Sequence, residues 1–232
     1  MKKFLLFIFA VFILSASAFA DTSEVITNQY IIEAQKKIDK IGFNLLNSNG
    51  IDKRMVFGFN VKRKVNAGTS LSNREIIMFR GMYEHLTSDD EIAAVLAHEI
   101  SHGVDSYDGI LRGFFNFIST KNIFTAKKYE YKADKRAVDY MVHAGYNPVA
   151  MIVMQSKIFP QRRYDWCSTH PLASRRMMRV YEYIYNKYPE YLVNNKYKDD
   201  VSYQNFLLTS QDNRLKFKQK VEKKSKKPVQ YL

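Results

Sequence analysis

Residues 87–102 read Thr87-Ser88-Asp89-Asp90-Glu91-Ile92-Ala93-Ala94-Val95-Leu96-Ala97-His98-Glu99-Ile100-Ser101-His102. The stretch opens as a helix opens. Ser88 with Glu91 three residues on fits a capping box, and Asp89 and Asp90 suit the positive end of a helix dipole. Ile92, Val95, Leu96 and Ile100 then keep a helical period, while Ala93, Ala94 and Ala97 let neighbours come close. On such a helix His98 and His102 are four apart and share one face, about 5–6 Å apart at Cβ, so one tetrahedral zinc ion can bind both. Glu99 is displaced around the helix. Its carboxylate can reach a water beside the metal without binding the metal itself. This is the H-E-x-x-H pattern of zinc peptidases.

A catalytic zinc takes three protein ligands and keeps one open position. Glu130-Tyr131-Lys132-Ala133-Asp134 sets two carboxylates one turn apart on a second predicted helix, residues 126–144. Either can be the third ligand, the other accepting the second N–H of a ligating histidine. The residues alone leave that choice open. The helix stops at Gly145, and Asn147-Pro148 reads as the cap and first turn of the next one.

Outside this centre, residues 21–48 carry Val25, Ile31, Ile32, Ala34, Ile38 and Ile41 at helical spacings, stopped by Asn47-Ser48-Asn49-Gly50. From Met55 to Val65 the period becomes two, with Met55, Phe57, Phe59 and Val61 on one face of a strand. Residues 66–70 read as a turn. Glu75-Ile76-Ile77-Met78-Phe79 is a second short strand, closed by Gly81. Residues 159–169 are loop, and a last clear helix runs over 171–188.

Taken together, these blocks resemble the gluzincin metallopeptidases that include HtpX and the CAAX prenyl endopeptidases, family forty-eight of the metallopeptidases. The stretch 87–102 looks like that family's active-site helix, and Glu130-x-x-x-Asp134 like its second motif. Val65-Asn66-Ala67, Ala144-Gly145-Tyr146-Asn147-Pro148, and His170-Pro171 with Arg176 are similar to further family blocks in the same order. The resemblance implies an α+β fold, a mainly helical zincin-like (minigluzincin) domain with a small sheet whose edge strand borders the cleft. It implies one zinc ion per chain, Glu130 as third ligand, and Asp134 as hydrogen-bond partner of a ligating histidine. Gly68-Thr69-Ser70-Leu71-Ser72 departs from the family's more glycine- and proline-rich turn. The family's multiple membrane spans are absent, so the chain resembles the soluble, exported members.

His170 and Arg176 are expected to flank the open zinc position, where either could stabilise an oxyanion; His170 could instead occupy the fourth position and block catalysis at rest. Cys167 reads as a buried structural thiol, and His85 and His143 as structural. A single cysteine excludes a disulfide-stapled fold.

Lys2 and Lys3, an apolar run from Phe4 to Leu14 and Ala18-Phe19-Ala20 predict a signal peptide over residues 1–20 and a periplasmic or secreted protein. No later segment is apolar for long enough to cross a bilayer. The net charge is +13. Lys216, Lys218, Lys220, Lys223, Lys224, Lys226 and Lys227 crowd the C-terminus, so 211–232 reads as a basic, flexible tail after a metallopeptidase domain over 21–210. That tail could touch an anionic membrane surface. No interleaved motif for nucleic acid accompanies the charge. The sequence thus predicts a metalloendopeptidase acting on extended or unfolded polypeptides, with Glu99 as base and the substrate laid against Glu75–Phe79. The rival is an exported chaperone-like binding protein; an intact Glu99, for which a pure binder has no chemical need, argues against it.

Overall fold

The computed structural model describes residues 27–70, 74–107, 123–159 and 173–231. The chain divides into two units, Met1–Ile32 and Glu33–Leu232. Of the first only residues 27–32 are described; the second holds the fold. The predicted signal peptide, Cys167 and His170 lie outside the described residues.

Helix α1, Asn28–Ser48, buries Ala34, Ile38, Ile41 and Leu45 along one stripe. Strand β1, Val56–Asn60, is shorter than its predicted length. Met55 and Phe57 are buried, but Val61 is exposed. The Asn60 side chain accepts the Lys62 N–H at 3.0 Å, a local turn that ends the strand.

The sheet corrects two expectations. Residues 67–69, read as turn, form strand β2 (Ala67–Thr69), antiparallel to β3 (Glu75–Phe79) with Ala67 opposite Met78 and Thr69 opposite Ile76. Strand β1 pairs with β3 in parallel, Phe57 opposite Ile76, so the order is β1-β3-β2. Glu75–Phe79 is therefore the central strand, and the edge beside the cleft is β2. Three residues containing a glycine are too few to show the alternation by which a strand is read.

Helix α2, Arg80–His85, follows β3 at once. His85, at its end, places Nδ1 2.6 Å from the Gly81 carbonyl of its own helix. Helix α3, Asp89–Tyr107, starts on the predicted capping box: the Glu91 N–H donates to Ser88 Oγ (3.3 Å) and the Ser88 hydroxyl to Glu91 Oε1 (3.1 Å). Ile92, Leu96 and Ile100 are buried, and α3 packs against β2, β3 and two further helices. These are α4, Ile123–His143, which ends at Gly145 with φ +81°, and α5, Ala150–Ile158. Asn147 caps the turn into α5 by accepting the Val149 N–H. His143 is exposed, with Nδ1 2.9 Å from Asn49 Oδ1. Then come α6 (Ala173–Lys187), α7 (Glu190–Val193), α8 (Val201–Thr209) and α9 (Gln211–Glu222).

The C-terminal residues are not the frayed tail expected of them. Phe217 on α9 is buried with its ring edge-on to Tyr185 at 5.1 Å, and Lys220 pairs with Glu182 at 2.6 Å. Tyr231 is buried too, its hydroxyl donating to Glu182 Oε2 at 2.7 Å. Isolated apolar anchors among lysines carry no period, so composition hides them. Among the described residues no helix is long and apolar enough to cross a membrane.

Candidate metal centre

Helices α3 and α4 bring together the predicted ligands. His98 Nε2 and His102 Nε2 are 3.1 Å apart; Glu130 Oε2 is 3.6 Å from the first and Glu130 Oε1 3.4 Å from the second. A tetrahedral zinc with ligands at about 2.0–2.1 Å sets them about 3.3–3.4 Å from one another. The triangle fits. Among the described residues these three side chains form the one group able to hold a metal, and two imidazoles with a carboxylate are a donor set suited to zinc.

Asp134 lies one turn beyond Glu130 and deeper, on the far side of His98. Its Oδ1 is 3.1 Å from His98 Nδ1, although that N–H does not point straight at it, so Nδ1 has no well-aligned acceptor. The contact sets Asp134 behind His98, where the resemblance put it, with Nε2 on the side of the ligand triangle. Burial works against a charge on His98, but the Asp134 and Glu130 carboxylates outweigh it and lift its pKa to about 9. Burial likewise opposes the Asp134 charge, yet the Arg176 guanidinium and His98 hold it down at about 2.

Arg176, on α6, is buried beneath the two carboxylates. Its Nε and Nη2 donate to Asp134 Oδ2 and Oδ1 at 2.9 and 2.6 Å, and its Nη1 lies 3.1 Å from Glu130 Oε2. The guanidinium also stacks over Phe159 at 4.9 Å. The expectation placed Arg176 on a substrate oxyanion. The contacts give it to the carboxylates instead, with all three nitrogens engaged.

Two residues of the site escaped the sequence reading. Gln155, fully buried on α5, donates to Asp134 Oδ1 at 3.2 Å. Its signal was present: a lone amide directly after the apolar run Ala150–Met154 demands a polar partner when buried. Thr69, on β2, places Oγ1 2.9 Å from Glu99 Oε2 and 2.9 Å from the Glu99 carbonyl. Nothing local pointed to it. Glu99 stands outside the ligand group and faces a cleft of about 440 Å³ with β2 residues Ala67 and Gly68 on one side and Met154, Ile158 and Phe159 among its apolar lining.

The sequence profile of Peptidase family M48 matches residues 32–108 and 103–184. The chain is also 25% identical over 177 residues to "Mitochondrial metalloendopeptidase OMA1" of Arabidopsis thaliana, an overlap of 66% of this chain and 36% of that protein. It therefore spans about a third of that relative's length. The profile runs across the sheet and helices α3 to α6, and so takes in Thr69, the ligand triangle, Asp134, Gln155 and Arg176. With these segments covering more than half of the sequence, this chain belongs to Peptidase family M48.

Proposed function

We propose that the protein is a zinc-dependent endopeptidase that hydrolyses peptide bonds in extended or unfolded polypeptides. One observation carries this reading: the His98–His102–Glu130 triangle has zinc-sized spacing, and a carboxylate that does not ligate, Glu99, stands beside it at a cleft. A zinc ion held there supplies Lewis-acid chemistry, acidifying water and polarising a carbonyl. Glu99 accepts the proton of the attacking water and passes it to the leaving amine, a general-base then general-acid role open to a side chain held within hydrogen-bond reach. Asp134 keeps His98 oriented, and Arg176 keeps the buried Asp134 charged while also reaching Glu130.

The substrate is proposed to lie extended along β2, the cleft-side edge, adding its main chain to the sheet. Gly68 in that edge lets a backbone approach closely, and recognition through main chain selects unfolded segments over particular side chains. The pattern of residues 1–20 supports export, and with it a role in turnover of misfolded envelope proteins. Lys218, Lys223, Lys224, Lys226 and Lys227 remain exposed and could make contact with anionic lipid.

The test is a digest of an unfolded protein such as casein by the wild type, Glu99→Gln, and chelator-treated enzyme. Cleavage should occur with the wild type alone. Equal loss of intact substrate in all three would remove the peptidase assignment.

A further inference from the structure

We propose that Thr69 is a positioning residue for Glu99, gripping the base from the sheet edge before substrate arrives. The inference rests on Glu99 acting as the base. One hydroxyl oxygen lies 2.9 Å from both the main-chain carbonyl and the carboxylate Oε2 of the same residue. An ionised carboxylate and a main-chain carbonyl can only accept, so the single Thr69 hydroxyl proton is shared between these two oxygens of Glu99. Contact with the carbonyl and the side-chain end of one residue limits the torsions between them. Glu99 would otherwise be a long chain with several rotamers at the cleft, and holding a reacting group in place beforehand is what makes it effective. The hydroxyl engages one carboxylate oxygen and leaves the other for the water.

Thr69 is itself held on three sides. Its backbone lies in register with Ile76 of β3. Its β-branched side chain has few χ1 choices. Its Cγ2 lies 3.7 Å from where a Cβ on Gly103 would stand, and Met55 Cε would be only 2.9 Å from that Cβ. A glycine at 103 thus lets β2 and Met55 close onto α3, bringing the Thr69 hydroxyl within reach of Glu99. Since β2 is also the proposed seat of the substrate, the strand that aligns the peptide is the strand that aligns the base.

The hydroxyl is testable apart from the packing. Thr69→Val keeps shape and methyl groups; Thr69→Ser keeps the hydroxyl. We expect Thr69→Val to lower kcat by about 10- to 100-fold with KM little changed, because misplacing a catalytic group costs turnover. Zinc content and melting temperature should stay at wild-type values, and Thr69→Ser should recover most of the rate. Wild-type kcat in Thr69→Val, with Glu99→Gln inactive, would overturn this inference and leave the peptidase reading standing. Equal losses in Thr69→Val and Thr69→Ser, or loss of zinc from Thr69→Val, would assign Thr69 to packing and overturn it as well. Full activity in Glu99→Gln would instead overturn the functional reading itself.

Discussion

Arg176 and Asp134 meet in a two-point ion pair, Nη2 to Oδ1 at 2.6 Å and Nε to Oδ2 at 2.9 Å, with side-chain exposures of 3% and 1%. The planar guanidinium matches the carboxylate edge, and its third nitrogen reaches Glu130. A charge so far from water is tolerable only while its partners are in place.

Arg176→Met should therefore leave the buried Asp134 carboxylate, and Glu130 beside it, short of a cation and destabilise the protein by about 3–5 kcal/mol, as breaking a buried pair does. Urea unfolding measures it. Arg176→Lys keeps the charge but not the fork, and should fall between the two. If Arg176→Met were as stable as wild type and lost only kcat, the oxyanion role expected from the sequence would be restored.

The two carboxylates of α4 should separate by what they do to zinc. Asp134→Asn should weaken zinc binding about 10- to 100-fold, the usual effect of losing a partner behind a ligating histidine. Glu130→Ala should weaken it more, because a ligand is gone. Competition with a chromophoric chelator gives both affinities. The opposite order would exchange the roles of Glu130 and Asp134.

Metal analysis should find one zinc per chain, and zinc should raise the melting temperature of chelator-treated protein. A ligand bound to the folded state alone, at about 100 times its Kd, contributes about 2.7 kcal/mol. His98→Ala combined with His102→Ala should abolish both the stoichiometry and the shift. Full occupancy in that double variant would place the metal elsewhere.

Away from the cleft, Glu182 should make stability depend on acid pH. Its half-buried site raises its pKa, but Lys220, Tyr231 and Arg179 together hold it below the usual glutamate value. A depressed carboxylate stabilises the fold above its unfolded pKa of about 4.3, and this is lost as pH falls through the folded value. Glu182→Gln should flatten that part of the acid-unfolding profile, measured on zinc-free protein, and should free residues 223–231 for limited proteolysis. An unchanged profile with an equally protected C-terminus would show that the burial of Phe217 and Tyr231 and the Arg179–Val229 hydrogen bond hold the segment without Glu182.

The active-site helix was legible in the sequence because its information is local. Ser88 and Glu91 start it, a 3.6-residue period gives its buried stripe, and the four-residue step from His98 to His102 puts two ligands on one face. Glu130 and Asp134 could be recognised as a pair by the same rule, and the family resemblance pointed to which was which. Their division of labour depends on depth: Glu130 is 12% exposed at the cleft and Asp134 1% exposed behind His98. That depth is set by how α4 packs on α3. The remaining contacts join residues far apart in the chain: Thr69 with Glu99 across 30 positions, Gln155 with Asp134 across 21, Arg176 with Asp134 across 42 and Tyr231 with Glu182 across 49. No local period encodes them. Helices and their ligand faces follow from hydrogen bonds and side-chain spacing within a few residues, whereas the edge identity of β2, the duty of Arg176 and the docking of the lysine-rich end arise only when separate elements bury their apolar faces together.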